Sequence, residues 1–457
     1  MFETVELPVW ALILIGLLAA ITAASHLLFP SVRWFFRRRA ERVVAKLNAR
    51  LTRPIQPFKL ARRHDMIQNV LYDPVVIAAV NEHAAKEGIP DNVAFETAER
   101  YAREIVPSFS ATIYFGFGTR IARWLARSLY RVRLFNLDRA KLDAIDDDAT
   151  VVFVMNHRSN MDYVLVTYLA ARESALSYAV GEWAQVWPLQ PLIKMMGGYF
   201  IRRRSLTPLY RKVLARYVRL STAKGVAQAI FPEGRLSRSG ALGDPKLGLI
   251  SYIIDGFDIE SSRDVVFVPV GLSYDRVLED KVLIASREKR GGTFKFRIST
   301  VFHYVGRHFW QRVTGRFHRM GYAGVAFGEP VSLREFVSSH KDDRAQKLGE
   351  HLMMQVGQIV PVLPVPLMSN VIMKLRPENP QRTDLIEMFA TEVAKLRERD
   401  VEVCIPKAGV ERGAIEALEM LQLRGLIEEI GAVIHLKDDA MAVLEFYAAS
   451  AFQSEKT

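Results

Sequence analysis

Thr150-Val151-Val152-Phe153-Val154-Met155-Asn156-His157-Arg158-Ser159-Asn160-Met161-Asp162-Tyr163 is the stretch on which the fold turns. Its first six residues carry no charge and are mostly β-branched. A short charge-free run of this kind reads as a strand buried on both faces, as parallel sheets require. His157 and Asp162 then fall just beyond the strand's carboxyl end, where α/β sheets place ligands. A histidine can take a proton through one ring nitrogen while a carboxylate holds the other and sets the tautomer. Such a pair activates a hydroxyl on a substrate, and no enzyme nucleophile is required. Taken by itself the spacing is common, and a surface histidine beside a helix cap fits it equally well.

Working outward, Val226 to Phe231 and Val265 to Val270 are further charge-free runs, and Gly324 to Phe327 reads as a last strand. Leu206 to Thr222 reads as a helix between them. Strands alternating with helices predict an α/β domain over residues 140–335, a mixed, largely parallel sheet flanked by helices. Residues 31–139 read as a basic helical region. Val75 to Lys86 is Ala-rich, Gly88-Ile89-Pro90-Asp91 breaks it, and Val93 to Glu104 follows with Asp91 as a cap. Residues 336–457 return to helix, with candidates at Thr383–Arg399 and Gly409–Leu423. Val360 to Met368 holds three prolines and reads as a linker.

The 457 residues are half apolar and a quarter charged, which excludes a disordered or collagen-like chain. One cysteine, Cys404, excludes a disulfide framework and a cysteine-based zinc site. With 62 basic against 50 acidic residues the net charge is +12, which favours anionic partners. Pro8 to Phe29 is 22 residues without Asp, Glu, Lys or Arg. As a helix it spans about 33 Å, matching a bilayer core of ~30 Å. Glu3 and Glu6 ahead of it do not suit a cleaved signal peptide. Arg33, Arg37, Arg38, Arg39 and Arg42 behind it orient the rest to the cytoplasmic side. The expectation is a single-pass anchor in residues 1–30, set in the inner (plasma) membrane. Trp124, Leu125, Leu129 and Tyr130 alternate with Arg120, Arg123, Arg127, Arg131 and Arg133. Beside an anchor this reads as a helix lying on anionic membrane lipids, with no nucleic acid involved.

Three later blocks join the first. Gly197 to Arg204 ends in Arg202-Arg203-Arg204, guanidiniums suited to bidentate phosphate binding. Ile230-Phe231-Pro232-Glu233-Gly234-Arg235-Leu236-Ser237-Arg238 follows a strand. It offers a carboxylate for hydroxyls, a glycine for close backbone approach and two more guanidiniums. Val268-Pro269 opens a block running to Tyr274-Asp275-Arg276, which reads mostly as core strand and loop.

In this order the four blocks resemble the glycerophospholipid acyltransferases, within them the glycerol-3-phosphate and dihydroxyacetone-phosphate branch. That family carries H-R-S-x-x-D-Y, F-I-R-R, F-x-E-G-x-R-S-R-x-G and V-P-x-x-x-x-Y blocks. Here stand His157-Arg158-Ser159 with Asp162-Tyr163, Phe200-Ile201-Arg202-Arg203, Phe231 with Glu233-Gly234, and Val268-Pro269. The likeness spans about 150 to 330. Leu444 to Ser450 loosely resembles the L-E-Y-Y-x-N-N segment of the same branch. Leu236 stands where the third block expects arginine, which leaves Arg235 and Arg238 as its phosphate ligands. The resemblance implies a glycerolipid acyltransferase fold and transfer of an acyl group from acyl-CoA or acyl carrier protein to glycerol 3-phosphate. It implies His157 and Asp162 as the catalytic pair, and Arg202, Arg203, Glu233, Gly234, Arg235 and Arg238 around the acceptor. It implies no metal and no cofactor. Ser174 to Met196 is a candidate border for the acyl chain.

Other classes fit less well. A serine hydrolase needs Gly-x-Ser-x-Gly, and Gly271-Leu272-Ser273-Tyr274-Asp275 lacks the second glycine. A dinucleotide enzyme needs Gly-x-Gly-x-x-Gly, and Gly116-Phe117-Gly118 fails at the third. A degenerate scaffold would not keep His157, Asp162 and Glu233. Within the acyltransferases the alternative acceptor is 1-acylglycerol 3-phosphate.

Overall fold

The computed structural model describes residues 8–10, 13–17, 38–39, 41–136, 138–170, 174–202, 206–288, 319–375, 379–437 and 439–453. The expected membrane span Pro8–Phe29 and Arg203 lie largely or wholly outside them. Among the described residues no helix is long and apolar enough to cross a membrane. The chain forms two compact units, Met1–Pro54 and Ile55–Thr457. Residues 41–48 of the first are helical; the rest of the description concerns the second.

Its centre is an eight-stranded mixed sheet. The strands are β1 (Arg131–Phe135), β2 (Thr150–Met155), β3 (Ser177–Gly181), β4 (Gly198–Ile201), β5 (Gln228–Ile230), β6 (Val265–Tyr274), β7 (Tyr322–Phe327) and β8 (Val331–Ser332). They lie in the order β1-β7-β6-β2-β5-β3-β4, with β8 on β6. β2 runs parallel to β5 and β6, as do β3 to β5 and β4 to β3. β7 and β8 pair with β6 antiparallel, and β1 runs parallel to β7. The sheet is therefore mixed and largely parallel, with helices flanking it, as the alternating runs predict. β2 and β6 are buried along their whole length, which is why neither alternates polar and apolar residues.

The helices used below are α1 (Arg63–Leu71), α2 (Pro74–Glu87), α3 (Asp91–Ile105), α4 (Thr119–Leu129), α5 (Met161–Ala170), α6 (Pro208–Ala223), α7 (Gly248–Ile254), α8 (Asp280–Glu288), α9 (Arg344–Ile359), α10 (Pro364–Lys374), α11 (Arg382–Glu398), α12 (Val410–Leu423) and α13 (Met441–Ala451). One large core gathers Met66, Val76, Ala98, Val152, Val154, Tyr210, Ile250, Phe267 and Leu352. It thus draws on all three expected regions, 31–139, 140–335 and 336–457.

Three readings of the sequence change. The basic stretch after Trp124 does not stay helical. α4 ends at Leu129, Tyr130 is extended, and Arg131 and Arg133 lie in β1. The three-proline segment is not a linker. Pro364 starts α10, where a missing N–H costs nothing, and Pro364, Val365, Pro366, Leu367 and Met368 are all buried. Asp91 is also not a cap but the first residue of α3, with Pro90 at the cap position.

Asp275, at the end of β6, ties this C-terminal region to the sheet. It accepts hydrogen bonds from Val365 N at 2.9 Å and Tyr322 N at 2.7 Å. Burial nevertheless pushes its carboxyl up to about 7. An unfolded aspartate titrates near ~3.9, so the native state holds the proton more tightly. The Asp275 contribution to stability is fully present below about pH 4 and is lost as pH rises through about 7. Thermal unfolding between about pH 5 and pH 9 should therefore fall more steeply in the native chain than in Asp275→Asn. Equal slopes would contradict this.

Candidate active site

β2, β3, β4 and β5 are parallel, so their carboxyl ends share one edge of the sheet. His157 follows β2, Glu233 follows β5, and Gly181 and Ile201 end β3 and β4. These residues meet at a cavity of about 770 Å³. Its polar lining is His157, Glu182, Glu233, Arg235, Arg238 and Lys246. Its apolar wall includes Tyr163, Val180, Ile201, Leu214, Phe231 and Leu249.

The expected catalytic pair is built on a tight loop. His157 Nδ1 lies 2.8 Å from Asp162 Oδ2. Asp162 sits in the first turn of α5 and is fully buried. The same Oδ2 accepts from Arg158 N at 2.8 Å and Ser159 N at 3.1 Å. Oδ1 accepts from the Tyr274 hydroxyl at 2.7 Å. A carboxylate so placed is an acceptor only, so Nδ1 carries the proton and Nε2 is the nitrogen left for a substrate. The imidazole stacks on Phe231 with centroids 4.3 Å apart and meets Tyr163 edge-on at 5.5 Å. These rings hold its plane and keep water from one face.

The third block grips the first. Glu233 Oε1 accepts from His157 N at 2.8 Å, and Oε2 accepts from Gly243 N at 3.0 Å. Burial pushes the Glu233 carboxyl up, while Arg158 and these two N–H groups pull against that. Ser237 N donates to His157 O at 2.9 Å. Arg158 is buried, donates to Gly240 O, and is held below its ordinary value by desolvation. Gly234 turns at φ +67°, which lets Gly234 N return to Phe231 O at 2.9 Å.

The expected phosphate ligands divide. Arg235 and Arg238 line the cavity, and Gly234 with them. Arg202 does not line it. Its guanidinium forks onto Glu104, with Nη2 to Oε2 at 2.6 Å and Nε to Oε1 at 2.9 Å, and lies over the Tyr101 and Tyr210 rings. Burial raises Glu104, but Arg202 and Gln185 hold it below the ordinary carboxylate range. Arg202 therefore ties β4 to α3. Of Ser174 to Met196, among the described residues, the end of β3 from Ala179 and the next residue, Glu182, reach the cavity.

Three residues escaped the sequence reading. Lys246 adds a cation to the cavity lining, and nothing near it in sequence marks it. Glu279 takes Ser159 Oγ at 2.8 Å and Asn160 N at 3.2 Å. Tyr274 was legible: it is the tyrosine of the V-P-x-x-x-x-Y block, read above as plain strand.

The sequence has relatives among known proteins. Residues 136–273 match the family model described as Acyltransferase. Residues 312–450 match that of the glycerol-3-phosphate acyltransferase C-terminal region. Both stretches are thus similar to acyltransferases. A glycerol-3-phosphate acyltransferase of Pseudomonas aeruginosa is 32% identical over 296 residues, 64% of this chain and 34% of that protein. One of Pseudomonas syringae is 24% identical over 414 residues, 85% of this chain and 48% of that protein. Both family models and these relatives make the chain similar to the glycerol-3-phosphate acyltransferases. It spans about a third to a half of the length of these relatives. Among solved structures, the 1-acyl-sn-glycerophosphate acyltransferase of Thermotoga maritima is similar at TM-score 0.31 and 17% identity, over 52% of this chain and 76% of that one.

Tyr274→Phe removes one of four donors to a buried carboxylate and leaves Oδ1 unpaired. Such a loss costs about 1–3 kcal/mol. Turnover should fall by roughly tenfold or more with the Michaelis constants little changed. Unchanged turnover in a folded Tyr274→Phe protein would show that Asp162 does not need this bond.

Proposed function

We propose that this protein transfers a fatty acyl group from acyl-CoA or acyl carrier protein to the sn-1 hydroxyl of glycerol 3-phosphate. The observation that carries the reading is the His157–Asp162 pair at 2.8 Å, opening on a cavity that also holds Arg235, Arg238 and Lys246. His157 Nε2 takes the hydroxyl proton as the oxygen attacks the thioester carbonyl. Asp162 stabilises the resulting imidazolium through Nδ1–H. Collapse of the tetrahedral intermediate breaks the C–S bond, and the imidazolium returns its proton to the departing thiolate. General base catalysis of this kind contributes ~10²–10⁴ in rate. The three cations hold the acceptor phosphate, and Glu233 braces the His157 backbone while keeping a free lone pair on each oxygen for an acceptor hydroxyl. The apolar wall takes the start of the acyl chain.

The test is an assay with labelled acyl donor, offering glycerol 3-phosphate and 1-acylglycerol 3-phosphate side by side. His157→Ala should remove at least about 10²-fold of turnover while the protein stays folded. Near-normal turnover in His157→Ala would sink the mechanism, and preference for the acylated acceptor would move the substrate. Arg238→Ala and Lys246→Ala should each raise the acceptor's Michaelis constant by roughly 10–100-fold, the loss of one charge-assisted bond of ~1.5–3 kcal/mol. The donor's constant should hardly move. If instead both constants stay put, these cations are a solvated rim.

Membrane attachment is part of the same proposal. Pro8 to Phe29 serves as the anchor. α4 serves as an interfacial helix. Ala122, Ala126 and Leu129 are its buried side, and it packs against α5, which carries Asp162. On its open side Ile121 and Trp124, with Phe117 just before the helix, are 37%, 53% and 56% exposed. Arg120, Arg123 and Arg127 flank them and are exposed as well. Cations beside lipid-sized apolar groups fit an anionic bilayer surface, at ~1 kcal/mol per residue. A chain lacking residues 1–30 should still bind anionic vesicles at low salt and detach at high salt, where the Debye length shrinks below about 8 Å. Arg120→Ala with Arg123→Ala should weaken that binding by roughly 30-fold. Salt-independent solubility of the truncated chain would rule out α4 as a lipid contact.

A further inference from the structure

The geometry points to Glu279 as a positioning residue that sets the spacing of His157 and Asp162, and to the C-terminal helix α13 as the element that sets Glu279. The inference rests on the acyl-transfer role proposed for His157. His157 and Asp162 are joined by a loop with no regular structure, so the distance between their side chains is only as fixed as that loop. Asn156, at its start, exchanges two hydrogen bonds with the Leu272 backbone at 2.8 and 2.7 Å. Arg158 N and Ser159 N are taken by Asp162 itself. The Ser159 hydroxyl and Asn160 N both donate to the Glu279 carboxylate, at 2.8 and 3.2 Å. Ser159 Oγ in turn accepts from Met161 N at 3.1 Å, at the start of α5. Glu279 is absent from the cavity lining. It acts on the loop, with no route to the reacting atoms.

Glu279 stands between β6 and α8, and its backbone is held from the far end of the chain. The Tyr447 hydroxyl of α13 accepts from Val277 N at 2.9 Å and donates to Asp280 Oδ2 at 2.6 Å. Arg424, just past α12 and buried, pairs with the same Asp280 oxygen and lies over the Tyr447 ring. Residues 277 and 280 bracket Glu279, so fixing them fixes it. Burial pushes the Glu279 carboxyl up, and Ser159 and Asn160 pull it back toward the ionised form. The carboxylate and the loop therefore stabilise each other.

The test compares Glu279→Ala, Glu279→Gln and His157→Ala in the full chain. Its readouts are steady-state kinetics and the low-field proton resonance of His157 Nδ1–H, identified by its absence in His157→Ala. A displacement of about 1 Å at reacting groups costs on the order of 10²-fold in rate. Glu279→Ala should lose about that much kcat, hold both Michaelis constants within about threefold, and lose the resonance. Glu279→Gln keeps an oxygen for Asn160 N and offers its amide to Ser159 Oγ, so it should recover kcat to within about tenfold. Full kcat with an intact resonance in Glu279→Ala overturns the inference, and so does a loss confined to the Michaelis constants. If Glu279→Ala does not fold, Ser159→Ala decides: it removes one of the two bonds and should cost about tenfold in kcat alone, whereas unchanged kcat counts against the loop clamp. If His157→Ala remains active, the acyl-transfer reading fails, and the resonance in Glu279→Ala still shows whether Glu279 positions the pair.

Discussion

The Asp162 carboxylate lies fully buried and takes four hydrogen bonds, from His157 Nδ1, Arg158 N, Ser159 N and the Tyr274 hydroxyl. A buried charge is tolerable only when its lone pairs are met. Meeting them here folds the loop after β2 into one shape. Two donors come from the loop's own backbone, one from the histidine that needs orienting, and one from the neighbouring strand β6. The same contacts that satisfy the aspartate therefore aim the imidazole. Satisfying the buried charge and orienting the imidazole are one requirement at this point.

Two further carboxylates repeat the device. Glu233 spends its oxygens on His157 N and Gly243 N, and Glu279 spends its own on Ser159 and Asn160. Each is a carboxylate pushed up by burial and held back by the backbone it grips. Three acidic side chains from three separate stretches thus pin one loop. Arg158 sits among them as the compensating cation. The proposed general base, which must meet a hydroxyl within hydrogen-bond reach, has use for such rigidity.

The C-terminal region belongs to this arrangement as well. Tyr447 and Arg424 hold Asp280 beside Glu279. Gln453 donates to Gly240 O at 3.2 Å, the carbonyl that Arg158 also uses. Gly240 has φ +82°, and a Cβ there would lie 1.8 Å from Phe446 O, so α13 packs directly on the loop of the third block. Among the described residues of this region, α13 and Gln453 thus reach the third block while Tyr447 and Arg424 reach Asp280.

Much of this was legible in the sequence, for identifiable reasons. Charge-free runs marked β2, β5 and β6 because a strand buried on both faces cannot carry a charge. The His157–Asp162 pair was legible because both lie in one short stretch beyond a strand end, and the order of the blocks pointed to the family. Contacts across the chain were not legible. Arg202 and Arg235 are both arginines in basic blocks, yet Glu104, almost a hundred residues away, takes the first while the second stays in the cavity. Pro364 read as a linker because only packing against α12 and α13 reveals it as the start of a buried helix. Glu279 lies in none of the blocks read from the sequence, since its contact with Ser159 and Asn160 exists only in the folded chain. Local composition determined which elements form and which residue types the chemistry can draw on. Which charges are spent on one another, and which remain for a substrate, was decided by the tertiary structure, because pairing depends on distance in space and the chain records only distance along itself.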